Sequence, residues 1–522
     1  MSAILEYSSL YPFLLVAVRV LYLAANNPGH FSLDDLIVVL AGTLAGTGLI
    51  YSLARLALRK VRSALPALVT LVVVAWIFGA PAIYQQLPEI LRSSPTAVWI
   101  GGIIVSGLAV RLLSSRPRVL HVAATFLTNV YAVLAAWLVL DIGLDRRNGD
   151  RAVARSDLVR DLEQPIRPRR QGPSQGPPRD IYVIVLDEYA NDTVLRTVLG
   201  FDNSTFEDSL RTLGFYIPRF VRSNYTQTSL SLASFLNAAH VNRLRDEVGQ
   251  SNDANIVNHL VDQNRVGRYL QAHGYRFVFF PSSWWFATRG STIADSTVRV
   301  GPRLELGREL SRTDFRRVIW HNTMLWWFYR TEWGDDAMVR DTFHAFGALA
   351  SDPRPLFGFA HVISPHVPYV FDANCRPREH EYARNREGYV SQLQCVNRLV
   401  LGTVTDLLQR SAVAPVIILQ GDHGTAFLDY SGASDAGRVN LKAAGERFGA
   451  FGAYFLPDGG ASVFGDTVAV VNVLGNVLRA YAGADLRIAP DEQYVSLDRA
   501  PFDMYRVQPQ WPSVGGAEGA RH

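Results

Sequence analysis

Apolar residues dominate the first 141 positions of the chain, in five stretches separated by short polar segments. The stretches are Leu10–Ala25, Leu36–Leu58, Pro66–Gln86, Ala97–Ser114 and Val119–Leu140. A helix needs roughly 20 apolar residues to cross a bilayer, and all five stretches approach or exceed that length. The pattern therefore predicts a domain of five transmembrane helices over residues 1–141, of which the first is interrupted by Arg19.

Basic residues are unevenly distributed among the loops between these stretches. Arg59, Lys60 and Arg62 follow the second stretch, and Arg116 and Arg118 follow the fourth, whereas the loop after the first has no Lys or Arg. Cytoplasmic loops of membrane proteins are enriched in Lys and Arg. After five crossings, the chain beyond residue 141 is therefore predicted to lie outside the cytoplasm.

Residues 142–179 change in character, from alternating charges to a run rich in Pro, Arg and Gly over 164–178. A segment of this composition lacks the apolar residues that a core requires. We therefore expect a linker over 142–179, in which a short amphipathic piece precedes an extended spacer, followed by a folded domain over 180–522.

Short apolar runs alternate with longer segments of helical character from residue 180 onward. Strands are predicted at Ile181–Leu186, Tyr275–Phe280, Leu356–Val362 and Pro415–Gln420, and helices at Val257–Ala272, Asp314–Trp333, Tyr389–Arg410 and Ala469–Tyr481. This alternation predicts an α/β domain with a mostly parallel sheet and helices on both faces. Beyond residue 485 the composition predicts loops.

Two of the predicted strands end in acidic residues, with Asp187 and Glu188 after the first and Asp422 and His423 after the last. Ligands bind at the carboxyl ends of strands in open α/β sheets. If these strands are neighbours, Asp187, Asp422 and His423 form an oxygen-rich site for one divalent ion, either Mn, Zn or Mg. Thr228, in a hydroxyl-rich segment, is the candidate nucleophile and a fourth metal ligand. Alternation along the first strand favours Asp187 over Glu188 as the ligand.

The chain from about residue 180 to 456 resembles the sulfatase-like branch of the alkaline phosphatase superfamily, and within it membrane-anchored lipoteichoic acid synthases and phosphoethanolamine transferases. The resemblance rests on the acid after the first strand, the nucleophilic Thr with a Ser three positions on and a small polar residue nine on, an Asp-His-Gly and a His-x-Pro-Tyr. These correspond to Asp187, Thr228, Ser231, Asn237, Asp422-His423-Gly424 and His366-Val367-Pro368-Tyr369. It implies that His366 and Asn237 bind substrate. Many relatives carry a further His soon after the Asp-His-Gly, which this chain lacks, and Arg447 is the candidate to make the phosphate contact in its place. His361 and His366, after another strand, are candidates to hold phosphoryl oxygens or to protonate the leaving alcohol.

The resemblance implies a multi-pass enzyme of the bacterial plasma membrane. Its expected reaction moves a phosphoglycerol or phosphoethanolamine headgroup from a membrane lipid, through a phosphorylated Thr228, to an envelope glycan or lipid. Two alternatives stay open: a hydrolase of phosphate or sulfate esters, and an inactive lipid-binding protein. A true sulfatase needs a Cys or Ser in a C/S-x-P-x-R signature soon after the first strand, and the chain has none there.

The chain carries a formal net charge of +4 over 522 residues, which gives no sign of nucleic-acid binding. Its two cysteines, Cys375 and Cys395, both fall in the predicted outer domain. There a disulfide persists, and it is favoured over a zinc site because no CxxC spacing occurs. Trp, Tyr and Phe crowd residues 320–333. This pattern favours a buried core face on a helix, and the alternative is a surface that seats the outer domain on the membrane helices.

Overall fold

The computed structural model describes residues 9–59, 65–86, 95–169, 178–282, 288–300, 313–323, 335–349, 354–428, 439–497 and 500–511. The chain divides into two compact units. The first comprises Met1–Asn148 and Leu304–Trp333, and the second comprises Gly149–Arg303 and Gly334–His522.

Five helices form the N-terminal part of the first unit: α1 (Tyr11–Ala25), α2 (Leu33–Ala57), α3 (Leu65–Gln86), α4 (Pro95–Ser114) and α5 (Pro117–Arg155), the last of which continues into the second unit. Helices therefore occur at all five predicted positions. By length and composition alone, α2 and α5 are long and apolar enough to cross a membrane, whereas the apolar parts of the other three are shorter. A five-helix membrane bundle thus stays a prediction.

A segment that the sequence assigned to the outer domain belongs to the first unit instead. Helix α13 (Asp314–His321) packs there, with the Phe315 ring stacked on Phe31 at 5.0 Å between centroids. Arg316 Nε donates to Asp35 Oδ1 over 2.6 Å, and both side chains are largely buried. These partners explain the departure from a contiguous 180–522 domain. Residues 324–333 of the predicted helix and its aromatic cluster lie outside the described residues.

Helices cover the first part of the predicted linker, up to residue 163, which is far more than the short amphipathic piece expected there. Helix α5 runs to Arg155, and the Ser156 side chain then caps α6 (Asp157–Glu163). Leu158, Val159 and Leu162 recur at helical spacing, and the structure buries all three in the core of the second unit. The charged positions between them lie on the outer face of a packed helix, which the composition alone did not distinguish from a solvated spacer.

A six-stranded sheet forms the centre of the second unit, in the order β10-β8-β1-β5-β3-β4. Its strands are β1 (Ile181–Leu186), β3 (Arg276–Phe280), β4 (Ser296–Thr297), β5 (Leu356–Val362), β8 (Val416–Gly421) and β10 (Gly452–Phe455). All neighbouring pairs are parallel except β10 and β8. The predicted mostly parallel α/β sheet is confirmed.

Alternate side chains of β1 enter two separate cores, one on each face of the sheet. Ile181, Val183 and Val185 point into one core, and Tyr182 and Ile184 into the other. Helices covering the first face are α9 (Thr228–Asn237), α11 (Asn255–Asp262), α12 (Arg265–Ala272) and α17 (Val473–Tyr481). Those covering the second are α7 (Asp192–Thr197), α8 (Ser204–Thr212), α14 (Asp335–Gly347) and α15 (Arg386–Arg410).

The predicted helix over 257–272 is two helices, because the Asn264 side chain caps α12 and breaks the run after α11. Two further helices are α10 (Leu244–Val248) and α16 (Leu441–Phe448). The smaller sheets use β2 (Phe220–Arg222), β6 (Tyr369–Phe371), β7 (Pro377–Glu381), β9 (Gly449–Ala450), β11 (Thr467–Ala469), β12 (Gln493–Leu497) and β13 (Ala500–Val507). The β12–β13 hairpin corrects the expectation of loops after residue 485.

Cys375 and Cys395 form a disulfide, as predicted. The bond joins the connection between β6 and β7 to the buried face of α15.

Candidate metal centre and active site

The register of the central sheet places the candidate residues side by side. Leu186, the last residue of β1, is level with Gly421 of β8 on one side and Val362 of β5 on the other. Asp187 and Asp422 each follow directly, so they leave two neighbouring parallel strands at the same edge of the sheet. The predicted adjacency of these two strands is confirmed.

Three buried side chains converge at this edge: one ligand atom from each of Asp187, Asp422 and His423 lies within 4.8 Å of the others. Among the described residues, neither carboxylate oxygen of Asp187 has a hydrogen-bond partner, nor does Asp422 Oδ2. In the same part of the chain, His361 Nε2, 3.5 Å from Asp187 Oδ2, is also unpartnered. Buried polar atoms are rarely left without partners in folded proteins. A divalent cation would satisfy this donor set, and hard carboxylate oxygens with imidazole suit Mn, Zn or Mg.

Burial governs the ionisation of these groups. It is the largest effect on Asp187 and Asp422, and it raises the pKa of both carboxyls, with mutual repulsion adding to the rise for Asp422. Burial also lowers the pKa of His361 to about 4 and holds that of His423 well below its ordinary value. Both imidazoles are therefore neutral, as metal ligation requires.

Thr228 begins helix α9, directly against the cluster. Its Oγ1 lies 3.0 Å from His423 Nε2, and the side chain is buried. Two nearby hydroxyls hold the backbone of the predicted ligand segment: Ser231 Oγ and Ser223 Oγ both donate to the carbonyl oxygen of Asp422, over 2.7 and 2.6 Å. The structure thus brings the predicted nucleophile and the three predicted acid and imidazole ligands together.

Glu188 turns away from the unpartnered oxygens, because its backbone adopts the left-handed region with φ of 62°. Its carboxylate pairs with Arg384, lies 3.3 Å from Arg447 Nη1 and lies 3.5 Å from His366 Nε2. Burial would raise the pKa of Glu188, but these three neighbours lower it below its ordinary value. Asp187 therefore belongs to the candidate metal cluster. Glu188 lies beside this cluster and pairs with two guanidinium groups.

Arg447 lies at the centre of the site, as expected for a phosphate contact. Its Nη2 is 3.0 Å from His423 Nε2, and its other nitrogens donate to the carbonyl oxygens of Thr226 and Gly424. His366 lies at the same rim, with Nδ1 2.6 Å from the carbonyl oxygen of Val367. His361 is fully buried, with Nδ1 3.0 Å from the Thr288 hydroxyl.

Asn237 is not placed in the site, contrary to the expectation that it binds substrate. It ends α9, about 13 Å along the helix from Thr228. Its Nδ2 donates to the carbonyl oxygens of Ala233 and Leu260, and its Oδ1 accepts from Arg265 N. The side chain therefore stabilises the helix end and the start of α12.

Two charged residues near the site, Arg384 and Glu446, were not among the residues that the sequence predicted for it. Arg384 lies in a loop ahead of α15, with nothing beside it to mark a role. Glu446 is buried and accepts from the Thr425 hydroxyl and from the backbone N–H groups of Phe427 and Leu428, which shapes the loop after Asp422-His423-Gly424. Its place beside Arg447 in the chain was the one available clue.

Backbone crowding explains the glycine that follows His423. A Cβ on Gly424 would lie 2.2 Å from the carbonyl oxygen of Glu446 and 2.7 Å from that of Gly449. Only a residue without a side chain lets the two backbones approach this closely.

One comparison with known proteins shows the family. The profile of the sulfatase family matches residues 181–451. No protein of curated function matches the chain significantly.

Three solved structures are similar to part of this chain. The C-terminal periplasmic domain of EptC from Escherichia coli in complex with Zn is 11% identical, covers 64% of this chain and 94% of its own, and has a TM-score of 0.41. The same domain of the phosphoethanolamine transferase EptC from Campylobacter jejuni is 11% identical, with coverage of 60% and 92% and a TM-score of 0.38. The lipoteichoic acid synthase LtaP from Listeria monocytogenes is 10% identical, with coverage of 65% and 82% and a TM-score of 0.38. At such identities these proteins say nothing about the substrate of this chain.

Proposed function

Because the chain belongs to the sulfatase family and is a sulfatase-like enzyme, we propose that it is a metal-dependent membrane transferase. It takes a phosphoglycerol or phosphoethanolamine headgroup from a membrane lipid and passes it, through a phosphorylated Thr228, to an envelope glycan or lipid. The observation that carries the proposal is the buried Thr228 hydroxyl, 3.0 Å from His423 Nε2 at a cluster of unpartnered carboxylate oxygens.

The nucleophile favours phosphoryl transfer over sulfate hydrolysis. A Thr occupies the start of α9, and no C/S-x-P-x-R signature follows β1. Asp187, Asp422, His423 and Thr228 would hold a divalent cation. When bound, that cation would lower the pKa of the Thr228 hydroxyl and offset the charge of the phosphoryl oxygens.

The first half-reaction forms one bond, from Thr228 Oγ1 to phosphorus, and breaks one, from phosphorus to the lipid oxygen. The hydroxyl proton of Thr228 passes to solvent, and the departing lipid alcohol takes a proton from His366, which lies at the partly exposed rim. Arg447 binds the phosphoryl oxygens beside His423. In the second half, an acceptor hydroxyl attacks phosphorus and gives its proton to His366, the bond from phosphorus to Thr228 Oγ1 breaks, and Thr228 takes a proton back from solvent. His361, fully buried, orients Asp187 without reaching the lipid alcohol.

The N-terminal helices support a lipid donor. Several of their large apolar side chains are exposed, among them Leu53, Leu56, Ile103, Leu112 and Trp137. Exposed apolar patches of this kind mark contact with a membrane or a partner, and α2 and α5 have the length to span a bilayer. The disulfide favours an oxidising compartment for the second unit, in line with a catalytic domain outside the cytoplasm of a bacterial cell.

Two other functions remain to be separated from transfer. A hydrolase would use the same Thr228 and cation, with water as the acceptor. An inactive lipid-binding protein is disfavoured because it would gain nothing from keeping four buried polar atoms without partners.

Reconstitution into vesicles separates these functions. Vesicles of total membrane lipids with a labelled headgroup, loaded with the full-length protein and Mn²⁺, should yield a labelled envelope glycan or lipid. Thr228→Ala should abolish this product, whereas Ser229→Ala, a neighbouring hydroxyl outside the cluster, should retain it. Release of free phosphate or sulfate from soluble esters as fast as from lipids, with no labelled acceptor, would establish the hydrolase instead.

A further inference from the structure

Glu188 is a buried carboxylate paired with two guanidinium groups. Its side chain is fully buried, with Arg384 and Arg447 paired to Oε1 and His366 Nε2 3.5 Å from Oε2. The carboxylate is held by its left-handed backbone and by the Glu188 N–H, which donates to Asp422 Oδ1 over 2.9 Å. The charge is therefore fixed in position beside the metal cluster, although Glu188 is not one of its ligands.

The two guanidinium groups lie where an anionic substrate would approach. Arg447 Nη2 is 3.0 Å from His423 Nε2, the same atom that Thr228 Oγ1 contacts. Arg384 shares Glu188 Oε1 with Arg447, and its side chain is 26% exposed, so it borders solvent. The Phe427 ring lies 5.7 Å from the Arg384 guanidinium carbon, which supports that group from the side.

A charge balance follows from these contacts. Asp187 and Asp422 together offset one divalent cation, and Glu188 offsets one of the two guanidinium groups. One permanent positive charge is left for the substrate, apart from the exchangeable proton of His366. A buried site of this kind accepts one negative charge, and a second would have no permanent positive charge to compensate it.

We propose, resting on the function proposed above, that Glu188 is the specificity-determining residue that restricts the site to esters carrying a single negative charge. Such esters include phosphodiesters, the chemistry of a lipid headgroup, and also sulfate monoesters. Doubly charged phosphomonoesters are rejected because Glu188 removes the positive charge that they would need.

Binding measurements test the charge rule without relying on turnover. Calorimetry on the full-length, Mn²⁺-loaded protein in detergent would compare methyl phenylphosphonate, benzenesulfonate and phenylphosphonate at about pH 8, where a phosphoryl group carries close to two charges. Both singly charged ligands should bind more tightly than phenylphosphonate. The tighter of the two distinguishes a phosphodiester site from a sulfate site.

Variants that neutralise one charge, and a double variant that compensates for it, sharpen the test. Glu188→Gln should shift the affinity ratio toward phenylphosphonate by at least about tenfold, and Arg384→Gln should shift it the other way. The double variant restores the charge and should return the ratio close to that of the wild type. Arg222→Gln, which removes a cation of the distant pair with Asp491, is the control that should leave the ratio unchanged.

An unchanged ratio in the folded variants would overturn the proposal. If Glu188→Gln fails to fold, Arg384→Gln still decides the matter, because that side chain is partly exposed and its loss does not bury a new unpaired cation. The outcome is separate from the transferase proposal: a protein that only hydrolyses its substrate could still show the charge rule, and a transferase could lack it.

Discussion

At the scale of single residues, the unpartnered oxygen atoms of Asp187 and Asp422 are the strongest indication of chemistry in the molecule. We predict that Asp422→Asn and His423→Ala each weaken binding of Mn²⁺ or Zn²⁺ by at least about 10–100-fold, since each removes one of a few ligands. Elemental analysis of the purified variants measures the loss. Asp491→Asn, in a surface ion pair, is the control that should keep its metal. Full metal content in both site variants would place the ion elsewhere.

Burial of the same carboxylates predicts a dependence of stability on pH. The pKa of the Asp422 carboxyl is raised to about 8 in the folded state, so the metal-free protein loses stability as pH rises from about 7 to about 9, above the range in which the lowered pKa values of His361 and His423 act in the opposite sense. We expect the unfolding temperature of the metal-free protein to fall by about 3–5 °C over this range. Asp422→Asn should flatten the fall, and added Mn²⁺ should reverse it. A rise with pH in metal-free protein would contradict the assignment.

Residue positions at strand ends could be predicted, whereas contacts across the fold could not. Asp187, Asp422 and His423 stand next to apolar strands, which makes their meeting predictable once the strands are neighbours. Glu188 meets Arg384 from 196 positions away, and no local pattern marks that pair. Asn237 was expected to bind substrate because of its spacing, nine residues after Thr228. That spacing places it at the opposite end of α9 from Thr228.

At the scale of elements, α6 is the clearest departure from the sequence prediction. Its apolar residues are few and lie among charges, so composition indicated a linker while helical spacing supplied a buried face. We predict that Leu162→Ala destabilises the protein by about 2–5 kcal/mol, because it opens a cavity in a packed core. Arg160→Ala, on the exposed face of the same helix, should change stability by less than about 0.5 kcal/mol. Equal effects in thermal unfolding would mean that α6 does not dock.

The strands show the opposite case. Continuous apolar runs such as IYVIVL and LFGFAHV are buried on both faces, and the observed β1 and β5 match them residue for residue. The hairpin β12–β13 lacks such a run, since β12 has only five residues and β13 alternates buried and partly exposed positions in its middle. The sequence prediction of loops therefore missed it.

At the scale of the whole molecule, the account depends on which side of the membrane the second unit lies. Among the described helices, α2 and α5 have the length and composition to cross a membrane. We predict that a membrane-impermeant thiol reagent labels a cysteine introduced at residue 172 in intact cells but not one introduced at residue 63. Cys375 and Cys395 contribute no background because they are paired. The reverse labelling pattern would place the second unit in the cytoplasm and exclude envelope chemistry.

The division into units could not be predicted as a continuous boundary. Residues 304–333 belong to the first unit, although the chain before and after them belongs to the second. Two contacts hold this segment in the first unit: the ion pair of Arg316 with Asp35, and the stacking of Phe315 on Phe31. Contacts between positions some 280 apart leave no periodic trace in the sequence.

Intact mass spectrometry tests the central claim most directly. The wild-type protein, loaded with Mn²⁺ and incubated with total membrane lipids without an acceptor, should gain a mass equal to one phosphoglycerol or phosphoethanolamine group, located on Thr228 by peptide mapping. Thr228→Ala should gain none, and Ser229→Ala should gain the same mass as the wild type. An adduct that persists in Thr228→Ala, or an adduct mapped to another residue, would contradict Thr228 as the nucleophile.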